Sequence, residues 1–265
     1  MYINKFSMLS TIRQVAFKVA LIIFIMTGSY CYADTEAIIF DCDGVLVDTE
    51  YLKFKAWNHA LAKYNIAYTI DEYLPVVGYS SEKIANEIIK QKEIHIDTRI
   101  LIEEKNTIYK HYQTLGVPPI QEAVYFLKNL LANKLKYKIK IGLASSAPYL
   151  EILSNLKNIG VNPKDFDAIV SGEDDLKHIS DPEGVNKPKP YIYEIIAQLL
   201  NVKPENCIVF EDTNAGVEAA SAARMKVFGV PNTFTSKHDF SKAAGIITFK
   251  NLDYKTLLDQ QLQLN

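Results

Sequence analysis

The clearest regularity along the chain is a series of short apolar runs, rich in Ile and Val, that lack polar alternation. They are "AIIF" (37–40), "IKIGLA" (139–144), "AIV" (168–170), "CIVF" (207–210), "KVFGV" (226–230) and "GIIT" (245–248). A strand with one wet face alternates apolar and polar side chains. Unalternating runs suit strands buried on both faces, as in a parallel sheet covered by helices. Between the runs, apolar residues recur with a helical period. In "PYIYEIIAQLLN" the residues Ile192, Ile195, Ile196, Leu199 and Leu200 fall on one stripe. "APYLEILSNLKNIG" opens with Pro148 at a first-turn position and closes at Gly160, the asymmetry expected of a helix. Strands alternating with helices through right-handed crossovers predict a doubly wound α/β domain.

One segment breaks the alternation. From Glu50 to about Gly116 only helical stretches are predicted: Glu50–Tyr64, Ser80–Glu93 and Asp97–Thr114. An all-helical insert directly after the first strand predicts a lid over that strand's C-terminal end, where open α/β sheets bind ligands. Pro118 and Pro119 mark the return. The expected organisation is a helical cap over 50–116 set into a core formed by 34–49 and 117–265.

The first 33 residues read differently. Lys5, Arg13 and Lys18 are their only charges, the apolar run "VALIIFIMTG" (19–28) follows, and small Cys31 and Ala33 sit at the −3 and −1 positions of a cut. This is the layout of a secretory signal peptide over 1–33, too short to span a bilayer comfortably. Export, to a periplasm or outside the cell, is therefore expected, with no stable membrane span in the mature chain. Tyr30 ahead of Cys31 argues against a lipoprotein. The alternative is a later start at Met26 and a cytoplasmic protein.

Composition adds limits. With 265 residues, 48% hydrophobic and 23% charged, the chain can bury one sizeable core and a smaller lobe. A net charge of −2 without a basic tract excludes a nucleic-acid partner. The three cysteines, Cys31, Cys42 and Cys207, have neither disulfide-framework nor zinc-site spacing; Cys42 and Cys207 are expected as buried thiols. Trp57 is expected to pack the cap.

The stretch "AIIFDCDGVLVDTE" (37–50) sets Asp41 and Asp43 at the end of an apolar strand, where a carboxylate needs a cation, a proton or a task. Three further pieces stand at comparable places: Ser145 closing "IGLAS", Lys187 in "NKPKP", and Glu211-Asp212 closing "CIVFED". Alone, each has a plain explanation as a turn, a helix cap or a surface lysine. Together, a parallel sheet delivers all four to one edge, and their chemistry is that of phosphoryl transfer. Asp41 is the candidate nucleophile, forming an aspartyl phosphate. Mg²⁺ takes hard oxygen ligands, and the acidic group available to it is Asp41, Asp43, Glu211 and Asp212. Within that group Asp43 is the member free to carry a proton, as acid to the leaving oxygen and then base to water. Ser145 donates to a phosphate oxygen and Lys187 neutralises the phosphoryl charge. Gly44 lets the backbone pass close to the phosphate.

The set "DCDGVLVDTE … GLASS … NKPKP … VFEDTNAGVEAA" resembles the haloacid dehalogenase-like hydrolase superfamily, over roughly Ala37 to Pro231. It fits the branch with a helical cap after the first motif, which holds β-phosphoglucomutase and phosphoglycolate-phosphatase-like enzymes. The resemblance implies a Rossmann-like core, a mobile cap, Mg²⁺ and Asp41 as nucleophile. Gly44, Ser146 and Lys53 join the list as substrate-binding candidates. Dehalogenases and phosphonate-cleaving relatives generally lack the second aspartate, so Asp43 argues for phosphate esters. Two departures concern substrate. Lys53 stands where the mutase branch carries His, and "GYSS" puts Ser81 where an Arg would hold a second phosphate. The expectation is a Mg²⁺-dependent phosphatase of a small phosphorylated metabolite; the alternatives are a sugar-phosphate mutase and a catalytically silent binding protein. Lys53 either reaches the cleft or is one more solvated lysine. The acidic segment 171–186 either lines the entrance or only delivers Lys187.

Overall fold

The computed structural model describes residues 35–263, so the signal-peptide expectation for 1–33 lies outside the described residues. Six strands form one parallel sheet: β1 (Ala37–Phe40), β2 (Lys140–Ser145), β3 (Ala168–Ser171), β4 (Cys207–Glu211), β5 (Lys226–Gly229) and β6 (Gly245–Ile246), in the order β3-β2-β1-β4-β5-β6. The chain leaves β1 toward one edge and later returns to its other side. The strand order therefore reverses beside β1, which makes its C-terminal end the switch point where such sheets bind ligands.

The apolar runs lack alternation because both faces of the sheet are covered. In β1, Ile38 and Phe40 belong to one core cluster and Ala37 and Ile39 to the other. The first cluster packs against α5 (Gln121–Tyr137) and α6 (Tyr149–Asn158), the second against α7 (Tyr191–Leu200) and α8 (Asn214–Ala222). Helix α5 was not singled out by the apolar pattern. The chain closes with α9 (Tyr254–Gln263).

Three local expectations are corrected. Leu199 is 61% exposed, and the buried stripe of α7 is Ile192, Tyr193, Ile196, Ala197 and Leu200. Tyr193 turns inward because its hydroxyl donates to Glu211, and this rotation carries Leu199 to solvent. Pro148 caps α6 from outside, and the helix begins at Tyr149. The last predicted strand is reduced to Gly245–Ile246.

Between β1 and α5 lie α1 (Glu50–Ala62), the short α2 (Ile70–Tyr73), α3 (Ser81–Lys92) and α4 (Thr98–Thr114), with no strand among them. They carry a core of their own that includes Trp57, Leu61, Tyr73, Ile84, Ile88 and Leu101. The two connections to this insert run side by side: Val47 forms an antiparallel bridge with Pro119, the Asp48 amide donates to the Pro118 carbonyl (2.8 Å), and the Ile120 amide donates to that of Leu46 (3.0 Å).

Under the sheet, Phe210 packs against Phe40, Phe126 and Phe249 with ring centroids 5.1–5.8 Å apart. It is fully buried. Truncating Phe210→Ala removes a ring that the cluster cannot refill, and should destabilise the fold by about 3–5 kcal/mol. A shift of the urea unfolding midpoint, with unchanged slope, measures it.

Candidate active site

The ends of β1, β2 and β4 and the segment after β3 meet at the switch point. Asp41 continues the β1 ladder, its amide donating to the Phe210 carbonyl (3.1 Å). Lys187, buried ahead of α7, donates from Nζ to Asp41 Oδ1 (2.6 Å), Glu211 Oε1 (2.5 Å) and the Ala144 carbonyl (3.3 Å). Burial works against this ammonium, but Asp41 and Glu211 outweigh it and raise its pKa. Glu211 also accepts from the Tyr193 hydroxyl (2.5 Å). It presses so closely on α8 that a Cβ at Gly216 would lie 2.0 Å from its carboxyl carbon.

Gly44 has φ +81°, and a Cβ there would meet Asp212 Oδ2 at 2.1 Å. The close approach this glycine permits is to Asp212, where the sequence suggested a phosphate. Asp212 is held by Asn232, whose amide nitrogen donates to its Oδ2 (2.7 Å) and to the Gly44 carbonyl (3.3 Å). Its other oxygen, Oδ1, is buried with no hydrogen-bond partner.

Asp41, Glu211 and Asp212 each bring one oxygen within 4.8 Å of the others. Burial raises the Asp41 carboxyl to about 8 against the pull of Lys187, and raises that of Asp212 well above its ordinary value. Three buried carboxylates against one lysine, all hard oxygen donors and one of them orphaned, suit a small divalent cation such as Mg²⁺.

Asp43, counted with the acidic group in the sequence, lies outside these three. It accepts from the Thr49 hydroxyl (2.6 Å), the Ser145 hydroxyl (3.3 Å) and the Asn155 amide (3.4 Å), and Lys53 Nζ stands 3.1 Å away. Burial pushes this carboxyl up, yet Lys53 and Thr49 outweigh it and leave the pKa below its ordinary value. The charge that the sequence matched with a proton is matched here by a lysine. Lys53 thus reaches the cleft, also pairing with Glu50 (3.3 Å). Ser145 accepts from the Ala147 amide (3.1 Å), while Ser146 and Ser81 line the same cavity.

Segment 171–186 borders the cavity as well as leading to Lys187. Asp174 accepts from the Tyr149 amide, Asp175 from the Ser171 amide, and Asp181 from the Tyr191 hydroxyl, which anchors the approach to Lys187. Glu173 lines the cavity. Cys42 and Cys207 are free buried thiols.

Several polar residues of the site were not foreseen. Lys105 is 3% exposed, lines the cavity, and donates to Ser81 Oγ (3.4 Å) and Asn106 Oδ1 (3.1 Å). Gln113 donates to Asn155 (2.8 Å), linking the end of α4 to the residue that touches Asp43. A signal for both existed: Leu101, Lys105, Tyr109 and Gln113 follow at intervals of four, so two polar residues sit on a buried helical stripe. Asn232 follows β5 in a loop without any periodic signal.

The family model of haloacid dehalogenase-like hydrolases matches residues 38–230. The chain belongs to this family. It is 32% identical over 232 residues to a phosphorylated carbohydrates phosphatase of Thermotoga maritima, covering 86% of this chain and 100% of that protein. It is also 32% identical over 203 residues to β-phosphoglucomutase of Bacillus subtilis, covering 74% and 83%. Among solved structures it is similar to β-phosphoglucomutase from Clostridium difficile, with a TM-score of 0.70 and 26% identity over 86% of this chain and 97% of that one. The haloacid dehalogenase-like fold thus accounts for the Rossmann-like sheet, and the family match with its phosphatase relatives supports a phosphomonoester hydrolase.

Asn232 holds Asp212 by its Oδ2, and Oδ1 is left buried without a partner. Replacing Asn232 with Ala should weaken Mg²⁺ binding by about 10–100-fold, as loss of a ligand's supporting hydrogen bond does elsewhere. Isothermal titration of the metal-stripped chain with Mg²⁺ measures this.

Proposed function

We propose that the protein is a Mg²⁺-dependent phosphatase of a small phosphorylated metabolite, of the sugar-phosphate kind, working through an aspartyl phosphate on Asp41. In this reading 50–116 is the cap and 34–49 with 117–265 the catalytic core. The observation that carries it is Asp41, pinned by Lys187 at the sheet's switch point, beside an acidic cluster with one orphaned oxygen. Mg²⁺ held by Asp41, Glu211 and Asp212 would keep Asp41 ionised and offset negative charge on the phosphoryl oxygens.

Asp41 attacks phosphorus and the bond to the leaving oxygen breaks. Asp43 gives that oxygen its proton, a role that requires Lys53 to turn from Asp43 toward the bound phosphate ester so that the carboxyl can be protonated. In the second step ionised Asp43, the form that Lys53 favours, takes a proton from the water that attacks the aspartyl phosphate. Lys187 balances the charge of the phosphoryl group, and the Ser145 hydroxyl is placed to donate to one of its oxygens. Hydrolysis is favoured over transfer between two sugar positions because Ser81 offers no guanidinium to a second phosphate. The mutase reading draws on the similarity to β-phosphoglucomutases.

A phosphate-release screen over sugar phosphates, phosphoglycolate and nucleotides tests the proposal. Release is expected with Mg²⁺, is lost with chelator, and is lost in Asp41→Asn. Release that survives Asp41→Asn would overturn the nucleophile assignment. Conversion of β-glucose 1-phosphate to the 6-phosphate without net release would favour the mutase. The charge and apolar pattern of residues 1–33 supports export. A mature N-terminus at Asp34 is then expected, whereas an intact Met1 or a start at Met26 would exclude cleavage there.

A further inference from the structure

Glu151, in the first turn of α6, lines the cavity together with Asp43, Lys53, Lys105 and Ser81, and no catalytic step uses it. It is half-buried, and its carboxylate makes no hydrogen bond or ion pair among the described residues. Burial is the largest influence on it and raises it to about 7; the ammonium groups of Lys53 and Lys105 pull the other way, and Asp43 and Glu173 add to the rise. The two lysines have partners of their own, Lys53 with Asp43 and Glu50, Lys105 with the Ser81 hydroxyl and the Asn106 amide oxygen.

A carboxylate that lines a cavity and bonds to no protein group there is open to a donor brought in by a ligand. In the phosphatase reading the phosphoryl end is matched by Lys187 and by the Mg²⁺ that the acidic cluster would hold. Beyond that end the cavity presents Glu151 and Glu173 against the one remaining ammonium, Lys105. A second phosphate or a carboxylate placed there would face two like charges. A hydroxyl can donate to Glu151 and accept from Lys105 at once.

We infer that Glu151 is a specificity-determining residue, accepting hydrogen bonds from hydroxyls of the leaving group, so that the preferred substrate is a monophosphate of a polyhydroxylated skeleton. Esters carrying a second phosphate or a carboxylate are disfavoured by the same group. This rests on the phosphatase reading and extends it from the phosphoryl end to the leaving group. A site built to bind a hydroxyl discriminates strongly against compounds that lack it, because its own polar group is then left unpaired.

The test is the hydrolysis, with Mg²⁺, of sugar monophosphates, the matching sugar bisphosphates, phosphoglycolate and p-nitrophenyl phosphate by the full chain and by Glu151→Gln and Glu151→Ala. For sugar monophosphates the variants should lose about 10–100-fold in kcat/KM, the range for a charged hydrogen bond. For p-nitrophenyl phosphate, which offers Glu151 no hydroxyl, the change should stay within about threefold, and bisphosphates and phosphoglycolate should gain relative to the monophosphates. A carboxylate that only supports the first turn of its helix would move all esters alike. Equal loss on every ester, or no loss on any, therefore overturns the role of Glu151 and leaves the phosphatase intact. If the unaltered chain releases phosphate from none of these esters, the phosphatase reading falls and this inference with it.

Discussion

A single buried ammonium, that of Lys187, joins two carboxylates of the sheet edge that would otherwise repel one another. Asp41 and Glu211 come from neighbouring strands, β1 and β4, and both are withdrawn from water. Two carboxylates this close cannot both stay ionised in a poorly solvated site without a cation between them. Lys187 supplies it, and the Ala144 carbonyl holds the ammonium from below. Removing one partner of such an arrangement leaves an uncompensated charge, on the order of 3–5 kcal/mol of destabilisation. Much else follows from this contact. Tyr193 turns inward to meet Glu211, which sets the rotation of α7, and Gly216 has no side chain because Glu211 occupies its space.

Asp43, two residues from Asp41, belongs to a different set of contacts. Its partners are Thr49 and Lys53, at the entrance to the helical insert, and Ser145 and Asn155, in the core. Asn155 is in turn held by Gln113, from the insert's last helix. Both ends of the insert therefore reach the carboxylate assigned to proton transfer. Asp41 is tied to the rigid sheet while Asp43 is tied to the sheet and the insert together. A change in the position of the insert would alter the surroundings of Asp43 and leave those of Asp41 nearly as they are.

The two departures from the mutase branch become intelligible at the same cavity. Lys53 stands close to Asp43 and stabilises its ionised form, which is the one that accepts a proton from water. Ser81 leaves the distal wall without a guanidinium, and its hydroxyl is engaged by Lys105.

The sequence alone determined the doubly wound sheet, the helical insert and the residues Asp41, Asp43, Ser145, Lys187, Glu211 and Asp212. It could do so because five of them stand at the end of an apolar strand, which can be read locally, and Lys187 stands in a Lys-Pro stretch just ahead of an apolar helical stripe. Lys105 and Gln113 were legible in principle, as polar residues on a buried four-residue spacing. Asn155 was legible in the same way, on the stripe Ile152, Asn155, Leu156 and Ile159, whereas nothing nearby in the chain distinguishes Asn232 and Glu151 from surface polar residues. Only the tertiary structure decided that Lys53 turns toward Asp43, that Gly44 makes room for Asp212, and that Asp43 stands apart from the other three carboxylates. Periodicity reports which face of an element is buried. Which buried charges then meet depends on distances between segments up to 188 residues apart, such as Gly44 and Asn232, and these are set by packing across the sheet.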